Sequence, residues 1–302
     1  MKRRVVQHGP STLTVSLPAQ WVKERGIEKG DDLEIEHHRR GLLISAKRAK
    51  KNDVKHINAF GTHPITGKAF AALYKYGYNE IIIHYTHPDE LHYLHTIINN
   101  GYIGFEIINE TKTSVHIKKI SEPQQEEFRL LFRRMAFFLL SVADDTHHAA
   151  QDHDIDSYRK LVLRDENINK LADVCRRIVN TGSQTEYKSD TALYHIIEQL
   201  EKIGDHYKDL NRTLIDCQAP LPAPVLGLLL EANKILHFYE QLFFAFTMEK
   251  MRQLIDDCKA FSTKADALLR SSTKYNAEAI GIMKQTVRDI DDLSGTTMML
   301  HL

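Results

Sequence analysis

A seven-position apolar seam, written twice, limits what this chain can fold into more than any other feature. Leu193, Ile196, Leu200, Ile203, Tyr207, Leu210 and Leu214 step by three and four residues in alternation. That spacing keeps one face of an α-helix continuously apolar. Moving 87 residues onward gives Ile280, Met283, Val287, Ile290, Ser294, Thr297 and His301, so the register repeats at first and weakens toward the end. An internal repeat of this kind means one supersecondary unit used twice. Two further helical stretches precede each seam, near 124–150 and 154–180 in the first unit and near 222–247 and 250–271 in the second. Pro220, Pro222 and Pro224 mark the joint. The pattern predicts two three-helix bundles, repeat 1 over 121–218 and repeat 2 over 219–302.

Upstream of the helices the pattern changes. Thr12, Leu13, Thr14, Val15, Ser16 and Leu17 alternate polar and apolar like a half-buried strand, and Pro18 then opens a short helix that Gly26 ends. Leu33 to Glu36 alternates again, and Gly41 turns the chain into a further strand, so residues 1–46 read as a small β-rich domain. The stretch 47–53 reads as a basic, solvated linker. Residues 54–120 resemble a small α/β domain, with strands at Ile81 to Ile83, Phe105 to Ile108 and Val115 to Ile117 and helices near 67–76 and 88–99. The fold class expected is therefore multidomain and mainly α.

Composition narrows the classes of function. With 42% hydrophobic and 26% charged residues, the chain reads as a soluble globular protein. No run approaches the roughly 18 uninterrupted apolar residues of a membrane span, so no membrane insertion is expected. The start, Met1-Lys2-Arg3-Arg4, lacks the apolar core of a secretory signal. Cys175, Cys217 and Cys258 lie far apart with no CxxC pair, which suits a reducing cytoplasm. The net charge of zero hides a polarity: residues 1–51 hold 12 Lys/Arg against 6 Asp/Glu, and the rest 28 against 34. A basic head on an acidic body is what local attraction to a polyanion needs, although chance segregation gives the same totals. No GxSxG elbow, P-loop, GxGxxG or HExxH is present, so no enzyme is expected.

The run from Ser11 through Pro18 and Trp21 to Lys23, followed by Gly26-Ile27-Glu28-Lys29-Gly30-Asp31, resembles the AbrB/MazE/SpoVT-type swapped-hairpin DNA-binding family. The resemblance implies a β-barrel interleaved from two chains, hence a homodimer, and double-stranded DNA as partner. So small a unit buries too little apolar surface to be secure alone. Lys2, Arg3, Arg4, Lys23 and Arg25 are the candidates for phosphate contact, with Arg also able to read base edges. The family's Arg after the glycine that opens the second strand is missing here, where Gly9-Pro10-Ser11-Thr12 stands.

A second resemblance lies in Leu200-Glu201-Lys202-Ile203-Gly204-Asp205-His206-Tyr207-Lys208-Asp209, which is similar to the signature of the PhoU family of phosphate-signalling proteins, built of two three-helix bundles. Glu201, Asp205 and Asp209 stand at i, i+4 and i+8. They spread over about 80° of helix surface, roughly opposite the seam, and so point outward. Such a stripe either solvates a helix and pairs with Lys202 or Lys208, or supplies oxygen ligands to a hard cation or iron. The resemblance implies a metal ion there, iron, zinc or magnesium. In the second repeat the equivalent positions are Arg288, Asp292 and Thr296, so only Asp292 keeps a carboxylate. Arg164-Asp165-Glu166 and its neighbours resemble the family's acidic second helix, a polar face expected to pack against a partner. Asp144, Asp145, His147, His148, Asp152, His153 and Asp154 crowd a helix end, where they either hold a metal or, as consecutive residues on a turn seldom converge, form a solvated connector, the reading preferred.

Together the two resemblances are those of archaeal-type PhoU regulators with an AbrB-like reader. They imply a DNA-binding transcriptional regulator of phosphate uptake whose helical domain senses metal or phosphate state or transporter status. The alternative is an adaptor that contacts a phosphate transporter ATPase, the N-terminal module serving only dimerisation. A metal-dependent hydrolase is disfavoured, because no base or open ligand set is evident.

Overall fold

The computed structural model describes residues 1–302 except 39–40, 47–53, 122–126, 182–186 and 218, so the predicted basic linker lies outside the described residues. The chain divides into two units, Met1–Asp53 and Val54–Leu302.

In the first unit, β1 (Val5–His8) and β2 (Thr12–Val15) form an antiparallel hairpin through Gly9, whose φ of 77° lies in the left-handed region glycine tolerates. Helix α1 (Ala19–Arg25) starts after Pro18 and stops at Gly26. A second hairpin pairs β3 (Leu33–His38) with β4 (Gly41–Ala46), and among the described residues no ladder joins the two hairpins.

The second unit opens with an α/β layer. Its elements are β5 (Val54–Asn58), α2 (Pro64–Tyr76), β6 (Glu80–His84), α3 (Pro88–Gly101), β7 (Phe105–Glu110) and β8 (Ser114–Lys119). The sheet order is β5-β6-β8-β7, with β5 and β6 parallel and the other pairs antiparallel. A parallel pair needs a crossover, and α2 supplies it. Ile81, Ile83, Val115, Ile117 and Phe105 meet Phe70, Tyr74, Leu94 and Ile98 of the two helices in one core. In the first turn of α3, the Glu90 carboxylate accepts N–H bonds from Gly61 (2.8 Å), Thr86 (2.6 Å) and His87 (2.9 Å). Three donors on a buried anion hold its pKa at about 2.

Six helices follow: α4 (Phe128–Asp152), α5 (Ile155–Asn180), α6 (Asp190–Asp216), α7 (Ala223–Phe244), α8 (Met248–Leu269) and α9 (Lys274–His301). Asp154, Ser189 and Thr247 cap α5, α6 and α8 by accepting N–H bonds from the first turn. All seven seam positions of α6 are buried, and six of the seven on α9, His301 being half-buried. The two bundles share one continuous core instead of two, with the Phe132 and Phe243 rings 5.0 Å apart where α4 meets α7. Within it, Tyr207 donates to Asn233 (2.7 Å) and Asn233 to the Ala143 carbonyl (2.7 Å), so these two side chains find their partners across the bundles.

The His/Asp cluster is no solvated connector. Helix α4 runs through Asp152, His153 takes the left-handed C-cap conformation (φ 51°, ψ 47°) and Asp154 begins α5. His147 is buried, Asp145 is paired with Arg164, and Asp144 takes His237 of α7 at 2.9 Å.

Arg177 makes several of the bonds that fasten the α/β layer to the helices, beside those of Asn180 and Asp173 to Lys75. Arg177, 3% exposed on α5, donates to the carbonyls of Tyr74 (2.7 Å) and Tyr78 (2.8 Å) and to Asn79 Oδ1 (2.6 Å). These carbonyls lie at the end of α2, where a helix leaves acceptors unused and favours a cation. The guanidinium also lies 5.1 Å and 4.8 Å from the Tyr74 and Phe105 ring centres. Gly77 closes α2 at φ 109°, and a Cβ there would come within 2.8 Å of the Thr181 methyl.

Candidate functional site

The carboxylate stripe of α6 forms the flank of that helix that meets α5. Ile168 of α5 lies so close to Gly204 that a Cβ there would sit 3.2 Å from its Cδ1, which gives the glycine of the signature a packing reason. Close approach turns Glu201 inward against Arg176 of α5 (3.3 Å), not outward as spacing alone suggested. Arg176 is 2% exposed and is also paired with Asp173 (2.8 Å) and Glu198. Burial works against its charge, and the three carboxylates outweigh burial and raise its pKa. Burial and the neighbouring acids raise Glu201, with Arg176 opposing them.

Asp205 is paired with Lys208, one turn on, whose ammonium also donates to Asp165 Oδ2 at 2.7 Å. Asp165 is buried and engages α6 of its own chain through Lys208, while its neighbour Glu166 is exposed. Asp209 is exposed and bonded to Arg212 at 3.1 Å. Asp292 and Arg288 are both exposed on α9.

Each carboxylate of the first stripe thus has a cation of this chain beside it. Among the described residues no three His, Cys, Asp or Glu gather as a metal-binding group. The stripe as folded does not fit a metal held by one chain.

Sequence reasoning missed the polar joint between the repeats. Asp289 of α9, 2% exposed, accepts from Lys202 (3.2 Å) and bonds His206 Nε2 (2.8 Å) and Gln285 (2.8 Å). The 87-residue offset carried the signal, because it places Lys202 and Asp289 at equivalent positions of opposite charge.

The N-terminal candidates lie on the other unit. Lys2, Arg3 and Arg4 precede β1, Lys23 and Arg25 occupy the last turn of α1, and all five are exposed. In β1 and β2 the register puts Val5 opposite Val15 and Gln7 opposite Leu13, so Val5, Leu13 and Val15 share one face. In β3 and β4, Leu33, Ile35, Ile44 and Leu42 share another. These faces are open: Val5 is 63%, Leu13 70%, Ile35 60% and Leu42 59% exposed. Among its residues whose burial is described, the first unit has none buried.

Two family models match the chain. One, MazE, described as antidote-toxin recognition and bacterial antitoxin, covers residues 6–52. The other, the PhoU domain, covers residues 132–213, which is repeat 1 without the divergent repeat 2. No curated relative and no solved structure matches. Among the described residues no helix is long and apolar enough to cross a membrane.

Proposed function

Starting from a chain that joins a MazE-type domain to a PhoU domain, which supports a role in phosphate regulation, we propose that it is a dimeric DNA-binding regulator of phosphate uptake. The observation that carries this reading is that none of the first unit's residues whose burial is described is buried. Two hairpins with open apolar faces cannot offset the entropy of ordering some fifty residues. A second copy laid on those faces supplies the missing core, and two sets of Lys2, Arg3, Arg4, Lys23 and Arg25 then belong to one particle. Paired basic elements suit the repeat of a duplex, and arginine and lysine suit its phosphates.

A second reading, docking on a phosphate transporter ATPase, is favoured by α4. Leu130 and Phe137 are 66% and 68% exposed, a helical turn apart from Arg133 and Arg134, and apolar side chains rimmed by charge mark protein contacts. Stepped-salt titration of the full chain on duplex DNA separates the two. The regulator reading expects log affinity to fall linearly with log salt, with a slope of about −0.9 per phosphate neutralised. No binding at low salt leaves the adaptor.

A further inference from the structure

The stripe that fails to fit a metal holds something in the metal's place. We propose that the Lys208 ammonium and the Arg176 guanidinium are internal replacements for a bound metal ion, so that repeat 1 clamps its acidic helices together without one. The inference stands apart from the DNA-binding reading.

Lys208 Nζ lies between Asp165 of α5 and Asp205 of α6. Beside it, Asn169 donates to Asp165 Oδ2 at 3.0 Å. Asp165 is 5% exposed, and its Oδ1 and the Asn169 Oδ1 are buried without a hydrogen-bond partner. The ammonium therefore sits between two carboxylates drawn from two helices, one of which also accepts the Asn169 amide N–H. That oxygen-only set is the donor chemistry of hard divalent cations. Buried acceptors left unpaired are costly, and both belong to the Asp165–Asn169 pair beside the ammonium. One turn to two turns earlier, Arg176 does the same for Asp173, Glu198 and Glu201. Both bases carry raised pKa values, because the carboxylates outweigh the burial that opposes their charge. A metal would have to expel an ammonium that these acids already hold.

If lysine stands in for the ion, removing it should restore a site for the ion. The test is Mn2+ titration of the full chain, read by electron paramagnetic resonance and by thermal unfolding, on wild type, Lys208→Met and the Asp165→Asn/Lys208→Met double variant. Expected for wild type is no Mn2+ uptake on the stripe and a Tm indifferent to Mn2+ or EDTA. Expected for Lys208→Met is a lowered Tm, uptake of one Mn2+ per chain and a recovery of roughly 5 °C at a hundredfold excess over Kd. The double variant should lose both uptake and recovery. Uptake by wild type that Asp205→Asn abolishes overturns the proposal. So does a Lys208→Met chain that takes up no Mn2+, whether it folds or not; Lys208→Gln repeats the comparison with a polar side chain.

Discussion

Lys202 and Asp289 hold the same place in successive repeats, 87 residues apart, and they meet across the α6–α9 joint with Nζ 3.2 Å from Oδ2. Burial by itself would lift the Asp289 pKa, but bonds from His206, Lys202 and Gln285 prevail and hold it below the ordinary 3.8. A depressed folded value stabilises fully above the unfolded pKa and is lost as pH falls through the folded one. Asp289→Asn should therefore cost about 2–3 kcal/mol near neutrality. The gap between variant and wild type should close in acid, which urea midpoints at stepped pH would measure.

The Arg177 contact makes a different demand on its side chain. A planar fork serves several acceptors at once, and an ammonium does not. Arg177→Met should lose about 3 kcal/mol, and Arg177→Lys should recover little of it. Hydrogen exchange should show α2 and the sheet opening before the helices, in place of joint protection. Unchanged protection in Arg177→Met would falsify the view that this side chain joins the two layers.

Glu90 should impose the clearest acid sensitivity. Its pKa lies near 2 against an ordinary 4.5, so its stabilisation is complete above about 4.5 and disappears as pH falls toward 2. Glu90→Gln should destabilise by about 2 kcal/mol at neutral pH and lose the wild type's pH dependence across that interval. Circular dichroism melts between these pH values decide it.

The hairpin faces give a test of assembly. Leu13→Glu puts a charge where a second copy is expected to cover 70% exposed leucine. Light scattering should then find monomers, with DNA affinity lowered about 100-fold through loss of paired engagement. The melt of the Val54–Leu302 unit should stay put, since that unit has its own cores.

How much of this was legible in sequence depended on whether a residue's partner was near in the chain. The seam from Leu193 to Leu214 could be read because helical burial repeats every three or four residues. Strand β5 could not: Val54 and Ile57 are its only apolar residues, and its pairing comes from β6. Arg176 and Arg177 look alike in sequence, yet they point to opposite layers because adjacent helix positions differ by about 100°. The partners of Arg177 lie about a hundred residues away. Spacing found the Glu201 stripe but misjudged the direction of Glu201, which is set by Arg176 on another helix.

Arg177 has a consequence for how any message could leave the helices. By gripping the end of α2, it ties the α/β layer that begins at Val54 to α5. A push on the six helices is then expected to reach Val54 through the Arg177 grip, and Arg177→Met to break that path.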